Sequence, residues 1–376
     1  MSGSRTAAVK TDVVLLPTHK KLATHELVVH QVLARKIARL LGAGFGGMYD
    51  PEAAKASNAN LYFVPSDTLI GHDQHRHLKI DSEQDLFGGL IAEPFMATKA
   101  ISHPLLENAS ARPSGWSDEF HRSVADAVLG GYSVFSKRDA LEAGKRLLDT
   151  GLIRVKPVLA TAGRGQIEVT SLGELTAAIE AQDGQDMERW GLVLEQNLQD
   201  VVTYSVGQVR IAGMIASYHG TQCLTRDNQG ENVYGGSSLR LVRGGFDALL
   251  ALELDEPVRH SIRQAMAYDQ AASSCFPGFI ASRRNYDIAL GRGADGQLCS
   301  GVLEQSWRIG GASAAEIEAL IAFSEAPALQ RIDVSTHEVY GETILPRGAD
   351  VLFEGDDPQV GFITKYIQVE PYERTQ

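Results

Sequence analysis

The segment from Ile153 to Val169 constrains the fold more than any other part of the chain, because it joins two apolar strands through a glycine-bearing loop. Apolar and cationic residues alternate in the first strand, so Arg154 and Lys156 are predicted to project from one face. Gly163 and Gly165 would let backbone N–H groups approach an anion closely. The pattern predicts a lysine strand with a glycine flap that binds polyphosphate. Taken alone, the segment is also compatible with an ordinary hairpin and a solvated lysine.

The overall composition narrows the classes of partner and compartment. The chain has 35 basic and 47 acidic residues, and its net charge of −12 repels a nucleic-acid backbone, so we expect no nucleic-acid partner. Its three cysteines lie far apart, which indicates neither a disulfide framework nor a zinc ribbon. No run approaches the roughly 18 apolar residues of a membrane span, and residues 1–12 lack a signal-peptide pattern. We therefore expect a cytoplasmic protein without a membrane partner.

The N-terminal third predicts an open α/β arrangement. Residues 13–16 form a short apolar strand, and residues 26–41 carry apolar side chains at helical spacing. The segment 42–47 matches GxGxxG, but it follows a helix instead of linking a strand to a helix. We interpret it as a helix C-cap and loop, in preference to a dinucleotide site. A Ser-, Pro- and Gly-rich stretch at 109–117 predicts a domain boundary.

Beyond this boundary, helices and strands alternate before strands become predominant. The predicted elements are helices over 118–129, 171–180, 255–274 and 316–323, and strands over 153–157, 191–195, 204–209, 211–218, 238–242, 285–290, 301–304 and 362–369. The strands at 285–290 and 301–304 carry one acid each, Asp287 and Glu304. Carboxylates on neighbouring strands can supply the oxygen ligands that Mg²⁺ prefers, with two solvated acids as the alternative.

Taken in this order, the lysine strand, the glycine flap, the strand ending in Glu195 and the two acid-bearing strands resemble the ATP-grasp superfamily. The similarity is to its biotin-carboxylase-like branch and covers about residues 118–320. The resemblance implies a mixed α/β and α+β fold with an N-terminal open-sheet (pre-ATP-grasp) domain. The implied domains are residues 1–117 and an ATP-grasp domain over 118–376, whose lid covers about 132–198 and whose C-terminal part covers about 199–376.

The same resemblance implies which residues bind a nucleotide. Lys156 matches the family lysine on the α and β phosphates, residues 163–165 belong to the flexible lid, and residues 195–198 match the segment that holds adenine. Arg122 lies where an upstream lysine of the family would fall. The full implied set for ATP is Lys156, Arg154, Gly163, Arg164, Gly165, Gln166, Glu195, Gln196, Asn197, Leu198 and Arg122.

The resemblance also implies the metal and acceptor residues. Asp287, Glu304 and Ser306 would bind Mg²⁺, although Ser306 stands where the family usually has asparagine. Arg308 would face the acceptor, and Lys156 would act with it in catalysis. Arg240 lies where biotin carboxylases have an active-site lysine, and a guanidinium there suits carboxylate or phosphate recognition. A solvated strand arginine is the alternative at position 240.

The resemblance therefore implies an ATP-dependent ligase that uses ATP and Mg²⁺ as cofactors. Such an enzyme would activate a small-molecule carboxylate as an acyl-phosphate and pass it to an acceptor such as an amine. Two alternatives stay open, a non-catalytic nucleotide-binding or regulatory protein on the same fold and a small-molecule kinase. A homodimer is also left open, and the sequence does not name the acceptor.

Overall fold

The computed structural model describes residues 9–18, 22–57, 59–159 and 165–371. The strands in this part of the chain are β1 (Asp12–Leu16), β2 (Gly44–Met48), β3 (Leu61–Pro65), β4 (Leu69–Ile70), β5 (Gly89–Ile91), β6 (Gly131–Val134), β7 (Ile153–Pro157), β8 (Ile167–Val169), β9 (Leu192–Gln196), β10 (Gln199–Ile211), β11 (Met214–Arg226), β12 (Asn232–Arg243), β13 (Ile280–Ala281), β14 (Arg283–Arg292), β15 (Leu298–Ser306), β16 (Arg331–Tyr340), β17 (Asp350–Asp357) and β18 (Gly361–Val369). The α-helices are α1 (Thr24–Leu41), α2 (Pro51–Ser57), α3 (His72–His75), α4 (Asp118–Val124), α5 (Lys137–Leu148), α6 (Leu172–Glu180), α7 (Gly184–Trp190), α8 (Phe246–Leu250), α9 (Glu256–Cys275) and α10 (Ser313–Glu325).

The N-terminal part contains a parallel three-stranded sheet in the order β2-β1-β3, which confirms the predicted open α/β start. Helix α1 ends at Leu41, and Gly42 follows as its C-cap with a φ of 63°, which confirms the predicted cap. The predicted loop after it is wrong, because β2 pairs with β1 there. A Cβ at Gly44 would lie 2.5 Å from Asp12 Oδ1, and one at Gly46 would lie 3.0 Å from Val14 Cγ1. The glycines of this segment therefore permit close strand packing.

The lysine strand lies in a four-stranded sheet with the order β6-β9-β7-β8, which we call the lid sheet. Its neighbouring strands are antiparallel. Helices α5 and α6 pack on each other and, with the sheet, enclose one apolar core. The strands of the lid sheet lie within residues 131–196, close to the predicted lid. The predicted domain limits themselves, including the boundary near residue 117, stay predictions.

The largest sheet has eight antiparallel strands in the order β15-β14-β10-β11-β12-β16-β18-β17. Helices α10 and α1 pack on one face, which we call the inner face, and α9 packs on the other, the outer face. Its strands are longer than the sequence patterns predict, and the predicted helix over 118–129 is shorter, because α4 ends at Val124 and a 3₁₀ turn follows. No helix within the described ranges is long and apolar enough to cross a membrane.

Candidate active site

The lid sheet presents a buried ion pair between Lys156 on β7 and Glu195 at the end of β9. The two strands are antiparallel neighbours, with Arg154 opposite Glu195, so Lys156 reaches the carboxylate diagonally. Lys156 is 3% exposed and Glu195 is 2% exposed, and Lys156 Nζ contacts Glu195 Oε1. The other oxygen, Oε2, lies 3.1 Å from Nε2 of the fully buried His103. Burial alone would raise the pKa of Glu195, but the Lys156 charge and the His103 hydrogen bond lower it to about 2.

Arg154 projects from the same face of β7 as Lys156, as predicted, but it contacts different groups. Its Nε donates to Asn197 Oδ1 at 2.9 Å, and its Nη1 donates to Gln166 Oε1 at 3.4 Å. Its Nη2 forms an ion pair with Glu168 on β8. Arg154 thus links the end of the flap to the segment after β9, whereas Lys156 is buried and pairs with Glu195.

The predicted adenine segment, residues 195–198, joins the lid sheet to the eight-stranded sheet. The Gln196 N–H donates to Gly130 O at 2.9 Å, and the Asn197 N–H donates to Leu152 O at 3.0 Å. Leu198 is buried against Ala289 of β14 and Leu129. The flap residues Gly163 and Arg164 lie outside the described residues, while Gly165 is exposed with a φ of 69° and Gln166 is partly exposed.

The predicted metal residues Asp287 and Glu304 form a carboxylate pair on the inner face of the large sheet. They lie directly opposite each other on the antiparallel strands β14 and β15. Gln222 Nε2 donates to Asp287 Oδ1 at 2.8 Å. Burial and the Glu304 charge raise the pKa of Asp287 to about 7. Two facing carboxylates that repel each other supply the kind of oxygen atoms that a divalent cation binds.

The structure reveals a cation in this site that our sequence analysis missed. Lys99, which is 6% exposed, places its Nζ 3.0 Å from Glu304 Oε2. It lies in a 3₁₀ turn, Lys99–Ile101, and the preceding residues are held by Gln305, whose Nε2 donates to Met96 O and Thr98 O at 2.8 and 3.0 Å. No periodic pattern or motif marks this turn in the sequence.

The prediction that Arg122 fills the role of the upstream cation requires correction. Arg122 is an exposed residue of α4, a helix that packs against α9. The cation beside the carboxylate pair is instead Lys99, which the 3₁₀ turn places there. Lys99 precedes residues 118–320, the part of the chain that resembles the ATP-grasp superfamily.

The segment after β15 contains Ser306 and Arg308, which have different environments. Ser306 Oγ accepts a hydrogen bond from Arg283 Nη1 at 3.1 Å, and the same nitrogen donates to Arg308 O at 2.7 Å. Arg283 is itself buried in an ion pair with Glu316 of α10, 2.9 Å away. The Arg308 side chain is 38% exposed, with its Nε 3.7 Å from Asp67 Oδ1. Arg308 is thus partly open to solvent, and its carbonyl oxygen is held by Arg283.

Arg240 does not join this cluster, so the structure corrects the prediction of its catalytic role. Leu239 and Leu241 point to the inner face of β12 and pack in the core beside α10, so Arg240 points to the outer face. There it forms a two-pronged ion pair with Asp333, with N–O distances of 2.8 Å. The carboxylate pair lies on the opposite side of the sheet.

The lid sheet and the carboxylate pair are close enough to interact electrostatically. Burial by itself would raise the pKa of Glu304, but the charges of Lys99, Lys156 and Arg308 hold it below its usual value. Lys99 thus contacts this carboxylate directly, and the charges of Lys156 and Arg308, from two other parts of the chain, also act on it. Such an arrangement can neutralise a polyphosphate and the charge that develops on phosphoryl transfer.

Comparison with solved structures identifies the fold. Biotin carboxylase from Campylobacter jejuni, solved as a β-γ-ATP complex, superposes with a TM-score of 0.53 and 12% identity, over 95% of this chain and 87% of that chain. N5-carboxyaminoimidazole synthetase from Staphylococcus aureus, solved with ADP, superposes with a TM-score of 0.53 and 10% identity, over 97% and 96% of the two chains. At these identities the likeness shows the fold alone, and it confirms the predicted ATP-grasp fold.

Sequence comparisons place the chain within one family. No curated protein matches it. The family described as "Protein of unknown function (DUF3182)" matches residues 13–367. This span includes the ion pair of Lys156 and Glu195, the carboxylate pair and Lys99. The chain, which has the ATP-grasp fold, therefore belongs to the DUF3182 family.

Proposed function

We propose that this protein is a Mg·ATP-dependent ligase that activates a small-molecule carboxylate as an acyl-phosphate. The observation that carries the proposal is the position of Glu304, which is opposite Asp287 and in contact with Lys99, while the charges of Lys156 and Arg308 also act on it. A triphosphate requires cationic side chains and a divalent metal around the phosphate that is transferred. Both requirements match the residues that meet here.

Each residue has a role that follows from its environment. Asp287 and Glu304 would hold Mg²⁺, which would supply positive charge to neutralise the phosphates. Lys99 and Lys156 would contact phosphate oxygens, and residues 195–198 would lie along the adenine. Arg308, the most exposed of the three cations, would orient the acceptor carboxylate.

The proposed reaction requires only ATP, the carboxylate substrate and the amine acceptor. A carboxylate oxygen of the substrate attacks the γ-phosphorus, and the bond from that phosphorus to the β–γ bridging oxygen breaks, so ADP leaves with the bonding electrons. An amine then attacks the acyl carbon, inorganic phosphate departs, and the amine loses one proton. Transfer to a hydroxyl instead of a carboxylate would make the protein a kinase.

One observation favours a non-catalytic nucleotide-binding protein as the second candidate. The hydroxyl of Ser306, at the position of the usual asparagine, accepts a hydrogen bond from Arg283. A serine hydroxyl is a weaker metal ligand than an amide carbonyl, and this one is already engaged. A protein with only the carboxylate pair would bind Mg·ATP but would stabilise the transferred phosphate less well.

The test is a turnover screen of the wild-type protein with Mg·ATP and a panel of carboxylates, with and without amines, in which ADP and phosphate release are measured. We expect release that depends on a carboxylate. Glu304→Gln preserves shape while removing the charge, and it should lower turnover by about 10²–10³-fold. Tight binding of Mg·ATP without turnover for any acceptor would support the non-catalytic alternative, and the absence of Mg·ATP binding would contradict both.

A further inference from the structure

The segment Lys99–His103 connects the two halves of the candidate site. All five of its residues are buried, and each is at most 6% exposed. At its start, Lys99 Nζ lies 3.0 Å from Glu304 on the large sheet. At its end, His103 Nε2 lies 3.1 Å from Glu195 on the lid sheet. Between them, the Ser102 hydroxyl lies 2.9 Å from the Tyr268 hydroxyl of α9.

The neighbouring residues attach the same segment to both sheets. On the side of the large sheet, Gln305 Nε2 donates to Met96 O and Thr98 O. On the side of the lid sheet, the Ser133 N–H of β6 donates to Pro104 O at 3.0 Å. The segment is therefore held from both sides, so the positions of its side chains are set by the two sheets together.

Only one of the two ring nitrogens of His103 has a hydrogen-bond partner among the described residues. Nε2 faces Glu195, while Nδ1 is buried without a hydrogen-bond partner among the described residues. An acceptor-only carboxylate requires a donor, which assigns the proton to Nε2. The histidine therefore donates to one oxygen of Glu195 and leaves the other oxygen for Lys156.

We infer that His103 is a positioning residue, which fixes the Glu195 carboxylate so that its second oxygen holds the Lys156 ammonium in place. A carboxylate with one unrestrained oxygen can rotate, and Lys156 would then lose its fixed partner. Because His103 is four residues from Lys99, one buried segment both carries Lys99, which contacts the large sheet, and sets the position of Lys156 on the lid sheet. That these cations meet phosphate rests on the proposed function, whereas the link from His103 to Lys156 does not.

The test compares two substitutions that differ in which imidazole nitrogen they imitate. In His103→Gln the amide nitrogen takes the place of Nε2 and can still donate to Glu195, whereas in His103→Asn it takes the place of Nδ1 and falls short. His121→Asn is the control for a local disturbance, because His121 is also buried, stacks on Trp116 with ring centroids 4.5 Å apart, and is hydrogen-bonded to the backbone of Ser102 in the same segment, while within the described residues it makes no hydrogen bond to Glu195.

The first measurement is the acylation rate of the Lys156 amine in nucleotide-free protein, followed by peptide mass spectrometry. We expect His103→Asn to accelerate acylation of Lys156 about tenfold, because a hydrogen bond to a charged group has been lost. His103→Gln and His121→Asn should stay near the wild-type rate. Lys99 is the internal control, since His103 does not contact Glu304, and its rate should not change.

The second measurement is the dissociation constant for Mg·ATP, which we expect to rise about tenfold in His103→Asn and to recover in His103→Gln. Unchanged acylation of Lys156 in His103→Asn would overturn the inference. Equal acceleration at Lys99 and Lys156 would also overturn it, because the whole segment would then have loosened. Wild-type protein that does not bind Mg·ATP, with Lys156 still responding to His103→Asn, would remove the proposed function and leave the positioning role supported.

Discussion

The two carboxylate sites of this protein differ in how completely the protein itself satisfies them. The Glu195 side chain is 3% exposed and contacts Lys156 and His103 with its two oxygens. The Glu304 side chain is 42% exposed, has one cation in direct contact, Lys99, and lies opposite a second acid. Both oxygens of Glu195 are therefore satisfied by the protein without a ligand. The negative charge of the carboxylate pair is only partly neutralised by Lys99, so a bound cation would stabilise the pair.

This difference shows that one part of the candidate site can hold its side chains in place while another part stays available to a ligand. A buried ion pair loses hydration, and it is retained only when hydrogen bonds satisfy both partners. Glu195 meets this condition, so Lys156 is fixed before any ligand arrives. The carboxylate pair stays partly hydrated, which keeps it available to a metal and to phosphate. Four predictions test this comparison, from the largest expected effect to the smallest.

Removing the charge of each carboxylate should have very different effects on stability. Glu195→Gln leaves the Lys156 ammonium buried without a counter-charge, so we expect the free energy of unfolding to fall by about 3 kcal/mol. Glu304→Gln should change it by at most about 1 kcal/mol, because the pair with Lys99 is partly hydrated and Asp287 remains nearby. Urea unfolding of the two variants and the wild type measures both values. Equal losses would show that the two sites do not differ in the way described.

Ligand binding should stabilise the protein through the open site. With Mg·ATP at about 100 times its dissociation constant, the free energy of unfolding should rise by about 2.7 kcal/mol. The double variant Asp287→Asn/Glu304→Gln should gain much less at the same concentrations, because it lacks the charges that hold the metal. Thermal unfolding with Mg·ATP, with ATP plus EDTA and with Mg²⁺ alone separates the contributions. A full gain in the double variant would place the metal elsewhere.

The raised pKa of Asp287 predicts a dependence of stability on pH in metal-free protein. Its folded pKa, about 7, lies above its usual value of 3.8, so between these values the folded protein binds more protons than the unfolded chain. The contribution of Asp287 to stability is therefore fully present below about pH 4, is lost as the pH rises to about 7, and stays constant above that.

Asp287→Asn should abolish this slope and, at pH 8, raise the free energy of unfolding by up to about 1 kcal/mol, because two like charges no longer oppose each other across the strands. Urea unfolding at several pH values measures the effect. In wild-type protein, the Mg²⁺ affinity should also fall below pH 7, where a proton competes with the metal. A slope that persists in Asp287→Asn would assign the titration to another group.

Substitutions of Arg240 and Arg308 should have the smallest effects on stability. They also test which face of the large sheet each arginine occupies. Arg240→Ala should lower the free energy of unfolding by no more than about 1 kcal/mol, because its ion pair with Asp333 is partly exposed, at 42% and 27%. It should leave the affinity for Mg·ATP and the turnover unchanged. Arg308→Ala should fold equally well and lose turnover in the same ADP-release assay. Loss of turnover in Arg240→Ala would contradict its position on the outer face.

The site residues whose predicted strand positions match the structure are those that depend on short-range patterns. Lys156 and Arg154 follow from two-residue alternation in one strand, and Asp287 and Glu304 follow from two strands joined by a short turn. Alternation also gives Arg240 a definite face, but which face points to the site depends on how β12 pairs with β11 and β16. That pairing involves residues about 20 and 90 positions away, so the sequence pattern alone could not decide it.

The sequence by itself determined the order of the elements, the strand lysine and the two acids, because each depends on side-chain periodicity and turn chemistry within a few residues. Only the tertiary structure brings Lys99 and His103 to the candidate site. They lie on a buried irregular segment that has no period to detect, and their partners, Glu304 and Glu195, lie 205 and 92 residues further along the chain. The packing of two sheets against that segment brings these groups together, and no local pattern encodes contacts made at such separations.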